Sequence, residues 1–201
     1  QVVKGMGADR RIGAEFLHPG LGFGGSCFPK DTLSILRVSQ KHGLKFGIVA
    51  ATLEVNERRA KHFVARIEKN LGSLKGKLIG VLGLSFKPDT DDMREAKSLE
   101  VIKLLLDKGA SIRTYDPVAM EKAKPLLPDS VVYCDTPYDV AEGCDALAVV
   151  TEWNEFKQLN LERVRGLMKQ PIIFDGRNIY PPDRMERFGF QYISIGRPDP
   201  K

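Results

Sequence analysis

The residues best suited to chemistry lie in one glycine-rich stretch, residues 22–31, which reads Gly-Phe-Gly-Gly-Ser-Cys-Phe-Pro-Lys-Asp. It carries one thiol, Cys27, and then Pro29, which suits the first turn of a helix because its missing N–H would be unpaired there. Ser26 can cap such a helix. A cysteine at a helix N-terminus meets free N–H groups and the positive end of the helix dipole, and both favour the thiolate. The stretch therefore predicts a reactive thiol on a loop that runs into a helix.

Two charged residues follow this thiol. Lys30 brings positive charge that favours the thiolate, whereas an ionised Asp31, one helical turn after Cys27, disfavours it. Asp31 is better suited to a later step, because an acylated sulfur is uncharged and a carboxylate could then activate the water that hydrolyses the thioester. The alternative is that Cys27 is only a small buried hydrophobic residue in a glycine turn.

Two motifs in this order carry a family resemblance. The first runs from Phe16-Leu17 through Pro19-Gly20 to residues 22–31, and the second is Ser-Phe-Lys-Pro-Asp-Thr-Asp-Asp-Met-Arg-Glu at residues 85–95. They closely resemble the UDP-glucose/GDP-mannose dehydrogenase family, in particular its UDP-glucose 6-dehydrogenases. The resemblance spans essentially the whole chain but only the C-terminal half or so of the family. The family's N-terminal NAD domain, with its Gly-x-Gly-x-x-Gly loop, and the catalytic Lys and Asn of its central helix would lie upstream of Gln1.

The resemblance implies specific roles for individual residues. Catalysis would rest on Cys27 and Asp31, with NAD as the cofactor and UDP-glucose as the substrate, and Lys30 and Arg94 would contact the cofactor. The residues implied in substrate binding are Arg11, Phe16, Leu17, His18, Pro19, Gly20, Gly24, Phe86, Lys87 and Arg177. His18 departs from the family pattern, because many relatives have Asn or Lys there.

Arg11 matches an arginine that reaches the substrate bound by a neighbouring subunit. Three of the other positively charged residues have alternatives, and for Lys87 the alternative is a solvated turn lysine. Arg94 has four acidic neighbours in the second motif and could form a structural ion pair instead of binding phosphate. Arg177 follows a predicted strand, where an exposed loop arginine would look the same.

The reaction that the resemblance implies is oxidation of UDP-glucose to UDP-glucuronate with two NAD, through a thiohemiacetal and then a thioester on Cys27. Without the NAD domain, this stretch alone is expected to show no turnover. One alternative is a noncatalytic module that only binds nucleotide sugar and dimerises, and another is GDP-mannose dehydrogenase. A thiol redox protein is disfavoured because Cys27 has no Cys-x-x-Cys partner.

The amino-acid composition narrows the possible ligands and cellular location of the protein. The net charge is +5, but the 31 basic residues are interspersed with 26 acidic ones, which argues against nucleic acid and suits a small anionic ligand. No apolar run reaches the roughly 20 residues of a membrane span, and no signal peptide is evident. Three scattered cysteines favour a reduced, cytoplasmic setting. The histidines share no metal-ligand spacing, so no metal is expected.

Apolar spacing in the first part of the chain predicts two helices, at about residues 31–41 and 48–71. The first has an apolar side formed by Leu33, Ile35, Leu36 and Val38. The second exceeds the usual length of a globular helix, so it either bridges domains or packs against its twin. A homodimer or higher homo-oligomer is therefore expected.

The pattern changes after residues 72–76, which predicts a helical segment over 1–72 and a second domain over 73–201. Short apolar strands then alternate with helices, at residues 77–84, 101–108, 111–115, 131–134, 146–150, 161–169, 172–174 and 192–195. This alternation predicts an α/β fold with a doubly wound, mostly parallel, Rossmann-like sheet. The turn after the first strand is not Gly-x-Gly-x-x-Gly, and Asp116 is too distant for a ribose-binding acid. This half is therefore not expected to hold NAD in the standard way.

Overall fold

The computed structural model describes residues 2–14 and 17–199. The helices are α1 (Val2–Gly7), α2 (Phe28–Lys41), α3 (Gly47–Leu71), α4 (Lys97–Asp107), α5 (Met120–Ala123), α6 (Pro137–Ala141), α7 (Asn154–Lys157), α8 (Leu161–Leu167) and α9 (Pro182–Arg187). The strands are β1 (Leu78–Leu82), β2 (Ser111–Tyr115), β3 (Val132–Tyr133), β4 (Ala146–Val149), β5 (Ile172–Asp175) and β6 (Gln191–Ser194).

The six strands form one sheet in the order β3-β2-β1-β4-β5-β6, and every pair is parallel. The predicted α/β fold with a helical first segment and a doubly wound sheet is confirmed. The chain reverses its direction of winding between β1 and β4, which lie side by side in the sheet. In such sheets a crevice forms at this point, beyond the carboxyl ends of the strands.

Helices cover both faces of the sheet. On one face Ile79 and Val81 of β1 share a buried apolar cluster with Phe63 of α3 and Ile102 of α4. On the other face Leu82 belongs to a second cluster, which includes residues of α6, α7, α8 and α9. Successive side chains of a strand point to opposite faces, so a strand covered on both sides is apolar throughout, as β1 and β4 are.

The two long helices differ in how they are covered. The second half of α3 buries Ala60, Phe63, Val64 and Ile67 in the core of the sheet. By contrast, α2 buries only Ser39. Helix α3 thus shares a core with the sheet. The division of the chain into segments 1–72 and 73–201 stays a prediction.

Sequence patterns located every strand and both long helices, with small differences at the ends. Helix α2 begins at Phe28 rather than Asp31, because the Asp31 N–H already bonds the Cys27 carbonyl oxygen at 2.8 Å. Four short helices, α5, α6, α7 and α9, were missed. Each has four to six residues, too few to show an apolar period. Thr136 and Asp139 do form a capping box at α6, which is a readable signal.

Within residues 2–14 and 17–199, no helix is both long and apolar enough to span a bilayer. The same part of the chain holds no cluster of three or more His, Cys, Asp or Glu side chains that could bind a metal ion.

Candidate functional site

A cleft of about 720 Å³ opens beyond the carboxyl ends of β1, β4 and β5. The three loops that follow these strands meet there with the glycine-rich loop, residues 20–26, which leads to Cys27. Its lining residues are His18, Gly20, Gly22, Phe23, Gly24, Phe28, Phe86, Lys87, Glu152, Lys157, Arg177, Asn178 and Ile179. The fold therefore gathers residues from distant parts of the sequence at the place where such sheets bind ligands.

Phe86 and Lys87 enter the cleft from the loop after β1. The Lys87 ammonium is exposed and lies 5.5 Å from the centre of the Phe86 ring. The ring in turn packs against Gly25 of the glycine-rich loop. The pair thus presents one positive charge beside an apolar surface, an arrangement suited to a ligand with an anionic and an uncharged part.

Arg177 and Glu152 form an ion pair on the β4–β5 side of the cleft. Asp175, at the end of β5, holds the backbone of the arginine, since its carboxylate accepts a hydrogen bond from the backbone N–H of Arg177 at 2.8 Å. This carboxyl group is fully buried, and burial raises its pKa, although its hydrogen bonds oppose that shift. The Arg177 guanidinium fills the space where a side chain on Gly20 would lie. Gly20 is therefore needed for the arginine to reach the cleft.

Cys27 lies at the N-terminal end of α2 and is exposed, so the alternative of a buried structural cysteine is wrong. Ser26 does not cap the helix as predicted. The N-cap residue is Cys27 itself, without a side-chain capping bond, and the Ser26 hydroxyl instead lies 3.6 Å from the Cys27 sulfur. The predicted loop that runs directly into a helix is present.

Lys30 and Arg94 each form an ion pair with an aspartate. Lys30 bonds Asp31, and this hydrogen bond is the main reason that the pKa of Lys30 is raised. Arg94 bonds Asp92, which raises the pKa of the arginine and lowers the pKa of Asp92 to about 2. Cys27 makes a smaller contribution to the raised pKa of both Lys30 and Arg94.

The glycines of the loop are packed against protein atoms. A Cβ on Gly22, Gly24 or Gly25 would overlap the Asn56 side chain, the Glu95 carbonyl or the Phe86 ring, respectively. Gly22 and Gly25 also adopt positive φ angles of 110° and 81°. Glycines in such a loop can let a ligand approach the backbone closely. The close approach seen here is to α3 and to the β1–α4 loop.

The predicted site residues fall into two groups. Six line the cleft: His18, Gly20, Gly24, Phe86, Lys87 and Arg177. Leu17, Pro19, Cys27, Lys30 and Asp31 are not among its lining residues, although Phe28, directly after Cys27, is. Arg11 bonds Asp9 and is 88% exposed. Phe16 lies outside the described residues.

Arg94 lies in a second cavity of about 900 Å³, which is also lined by Asp92, Glu121 and Lys122. Its salt bridge with Asp92 is the structural ion pair that the sequence offered as the alternative. The predicted contact of Arg94 with NAD stays a prediction.

Sequence reasoning missed several residues of the site. Glu152, only three residues after β4, could have been found, because side chains that follow parallel strands converge at one edge. Asn56 and Arg59 of α3 bond the glycine-rich loop from 33 and 39 residues away. No local spacing predicts contacts over such separations.

The turn after β1 does not fit a dinucleotide. In a standard NAD-binding half the N–H groups of this turn face the pyrophosphate. Here the N–H groups of Leu84 and Ser85 donate to Asp116, at 2.7 and 3.1 Å. Asp116, which directly follows β2, is fully buried and therefore not available to a ribose. This agrees with the expectation that the sheet does not hold NAD in the standard way.

Family models agree with this geometry. The model of the UDP-glucose/GDP-mannose dehydrogenase central domain matches residues 1–58, and that of the family's UDP-binding domain matches residues 80–182. The chain belongs to the UDP-glucose/GDP-mannose dehydrogenase family. The UDP-binding model of this dehydrogenase family covers the strand-end loops that carry Phe86, Lys87, Glu152 and Arg177.

Individual members of the family are similar over nearly all of this chain. UDP-glucose 6-dehydrogenase TuaD of Bacillus subtilis (strain 168) is 43% identical over 98% of the chain, and UDP-glucose 6-dehydrogenase of Rhizobium meliloti (strain 1021) is 44% identical over 98%. The chain spans only 43% and 45% of these two relatives.

Solved structures show the same fold. A UDP-glucose dehydrogenase from Pyrobaculum islandicum has a TM-score of 0.84 and 39% identity, covering 96% of this chain and 42% of that one. A UDP-D-ManNAc dehydrogenase from Pyrococcus horikoshii has a TM-score of 0.77 and 30% identity, covering 98% and 43%. Dehydrogenases named for different sugars thus share this dehydrogenase architecture.

Proposed function

We propose that this chain is part of an NAD-dependent oxidoreductase that converts UDP-glucose to UDP-glucuronate. The observation that carries the proposal is the cleft, in which Lys87 and Arg177 supply positive charge beside the loop that leads to Cys27. The names of the relatives support UDP-glucose over other nucleotide sugars. The three free cysteines suit a reducing compartment, so we propose the cytoplasm.

The proposed chemistry uses the thiol in the second of two oxidations at C6 of the glucose. NAD, when bound, accepts one hydride in each oxidation. The Cys27 thiolate adds to the aldehyde carbon and forms a thiohemiacetal, and loss of hydride from this carbon leaves a thioester. Asp31 then takes a proton from the water that attacks the thioester. The C–S bond breaks, the acid leaves, and the thiolate is restored.

For this role the Asp31 carboxylate must be accessible to water although it is paired with Lys30. Its ion pair with Lys30 is exposed, with side-chain exposures of 61% and 72%, so water can reach the carboxylate. Exposed ion pairs are weak and rearrange easily. The pair with Lys30 therefore does not block the use of this carboxylate as a base.

The affinity for nucleotide sugar can be tested on this chain alone. In calorimetric titrations, Lys87→Ala should weaken UDP-glucose binding about tenfold or more, since a hydrogen bond to a charged group contributes roughly 1.5–3 kcal/mol. Lys75→Ala is the matched control, because Lys75 is exposed and precedes β1, at the opposite end of the sheet. Equal losses in the two variants would contradict the proposed role of the cleft.

The same titrations separate the alternatives. If the chain binds GDP-mannose more tightly than UDP-glucose, the alternative of a GDP-mannose dehydrogenase is favoured. Binding of UDP-glucose without reduction of NAD is expected of this chain, because the described turn after β1 does not fit a dinucleotide. That outcome also describes a noncatalytic binding module, so turnover must be assayed in a full-length enzyme that carries this sequence.

We also propose that the chain forms a homodimer through α2 and the first half of α3. This surface exposes large apolar side chains, namely Leu33, Ile35, Val38, Leu44, Phe46, Ile48 and Val55. An apolar face of this kind is commonly an interaction surface, and a second copy of the chain is the proposed partner.

Light scattering should therefore show a dimer, which Ile48→Asp should dissociate. Ile48 is 87% exposed, so the substitution should not disturb the fold, whereas burying an unpaired carboxylate in an interface costs several kcal/mol. Val118→Asp is the control, at an apolar residue that is 53% exposed in the segment after β2. A strict monomer, or a dimer that survives Ile48→Asp, would overturn this interface.

A further inference from the structure

The glycine-rich loop that leads to Cys27 is held by two side chains of the long helix α3. Residues 20–26 form no helix or strand, so their backbone groups depend on such partners. Asn56 bonds Phe23, and Arg59 bonds Gly20. We propose that Asn56 and Arg59 are positioning residues that fix this loop and, through it, the Cys27 thiol. The proposal rests on the thiol chemistry proposed above.

Asn56 makes two hydrogen bonds to one residue. Its Oδ1 accepts the Phe23 N–H at 2.7 Å, and its Nδ2 donates to the Phe23 carbonyl oxygen at 3.2 Å. The amide thus holds the Phe23 backbone as a neighbouring strand would. Gly22 lies so close that a Cβ there would overlap the Asn56 amide. The amide suits this pair of bonds because it carries an acceptor and a donor on separate atoms of a short side chain.

The clamp at Phe23 reaches the thiol through an aromatic pair. The Phe23 ring packs edge to face against Phe28, with ring centres 6.0 Å apart. Phe28 is the first residue of α2 and directly follows Cys27. Fixing the Phe23 backbone therefore also fixes its contact with the residue that follows Cys27. The Gly25 N–H, which donates to the Arg94 carbonyl oxygen at 2.8 Å, fixes the loop two residues before Cys27.

Arg59 fixes the beginning of the loop. Its Nη2 and Nε donate to the Gly20 carbonyl oxygen at 3.0 and 3.3 Å. Gly20 is also the residue over which the Arg177 guanidinium lies in the cleft. Arg59 therefore sets the distance between the loop and the arginine proposed to bind the ligand. Asn56 and Arg59 are three residues apart on α3, so one face of one helix holds the loop at two points.

The clamp can be tested on this chain by hydrogen exchange at the Phe23 amide. Asn56→Ala should speed exchange about tenfold or more, because the N–H loses its acceptor. Asn56→Asp should have an intermediate effect, since a carboxylate accepts from the N–H but cannot donate to the carbonyl. Asn70→Ala is the matched control, because Asn70 lies on the same helix and bonds the Arg66 carbonyl instead.

Arg59→Ala is paired with Arg58→Ala, since Arg58 is the neighbouring residue and bonds only the exposed Glu54 among the described residues. Hydrogen exchange of residues 20–27 should rise in Arg59→Ala and not in Arg58→Ala. Wild-type exchange in both Asn56→Ala and Arg59→Ala would overturn the clamp. Thermal unfolding of each variant checks that the fold is kept.

The consequence for the thiol needs a full-length enzyme that carries this sequence. A displaced thiol should capture less of the aldehyde, so Asn56→Ala should raise the ratio of trapped aldehyde to acid about tenfold. Reduced stability alone would lower acid and aldehyde together. Cys27→Ala separates the two proposals: continued acid formation there refutes the thiol chemistry. Loss of acid there, with a wild-type ratio in Asn56→Ala, refutes the positioning role.

Discussion

Cys27→Ala, in a full-length enzyme that carries this sequence, should reduce formation of UDP-glucuronate about a thousandfold or more, because removing the proposed nucleophile removes the proposed covalent route. The affinity for UDP-glucose should change by no more than about twofold, as for most surface substitutions. The reason lies in the structure: the thiol is exposed at the end of the loop and takes no part in the apolar core. Product analysis by chromatography, combined with binding titrations, measures both quantities.

Cys134→Ala is the control for this experiment. Cys134 is partly buried and follows β3, at the edge of the sheet. Burial raises the pKa of its thiol, so it is a poor nucleophile. Acid formation at the normal rate in Cys27→Ala would overturn the assignment of the nucleophile.

Intact-protein mass spectrometry of the same enzyme examines Asp31. If this carboxylate activates water, Asp31→Asn should slow hydrolysis of the thioester, so that an adduct accumulates on Cys27 after mixing with UDP-glucose and NAD. The exposed pair with Lys30 contributes little to stability, so the variant should fold normally. Normal turnover without an adduct would remove Asp31 from the mechanism.

The order and type of the main elements could be predicted because they depend on local patterns. The strand predicted at residues 111–115 is observed with the same bounds, since it is short and its buried residues, Ile112 and Thr114, are both β-branched. Helix α3 begins at Gly47, one residue before its prediction. The short helices α7 and α9 were missed because their formation depends on tertiary packing around Phe156 and Met185, both fully buried.

The site could be predicted where topology brings residues together or where the family motif covers them, as at His18, Gly20 and Gly24. Phe86, Lys87 and Arg177 follow strands whose carboxyl ends share one edge, so the rule for parallel sheets leads to the cleft. Asn56 could not be found this way. A polar residue near the middle of a long helix looks the same in sequence whether it bonds water or a loop 33 residues away.

Asp116 is a second residue whose structural role could not be predicted from sequence. Its position indicated only that it is a poor ribose ligand, whereas in the structure it holds several segments together. Its two carboxylate oxygens accept six hydrogen bonds, from the backbone N–H groups of Leu84, Ser85, Val118 and Ala119, the Ser85 hydroxyl and the Trp153 indole. These bonds tie the turn after β1 to β2 and to the segment after β4. The turn leads directly into Phe86 and Lys87, so Asp116 also supports the cleft.

We therefore expect Asp116→Ala to lower the free energy of unfolding by about 4 kcal/mol or more. The carboxylate is fully buried, and each buried donor left without a partner costs roughly 1–3 kcal/mol. Domains of this kind have only about 5–15 kcal/mol in total, so the variant should be close to unfolding at ordinary temperature. Urea denaturation measures the loss. Asp129→Ala, at an exposed loop aspartate, should change stability by no more than about 0.5 kcal/mol.

Asp116→Asn gives the graded test of the same network. An amide has one acceptor oxygen where the carboxylate has two, and its NH₂ group would face N–H donors, so its cost should lie between wild type and Asp116→Ala. Trp153→Phe removes a single bond, of 3.1 Å, and should cost least. UDP-glucose affinity should fall in the same order, since the turn carries Lys87. If all three variants unfolded at the same urea concentration as Asp129→Ala, Asp116 would not hold the turn.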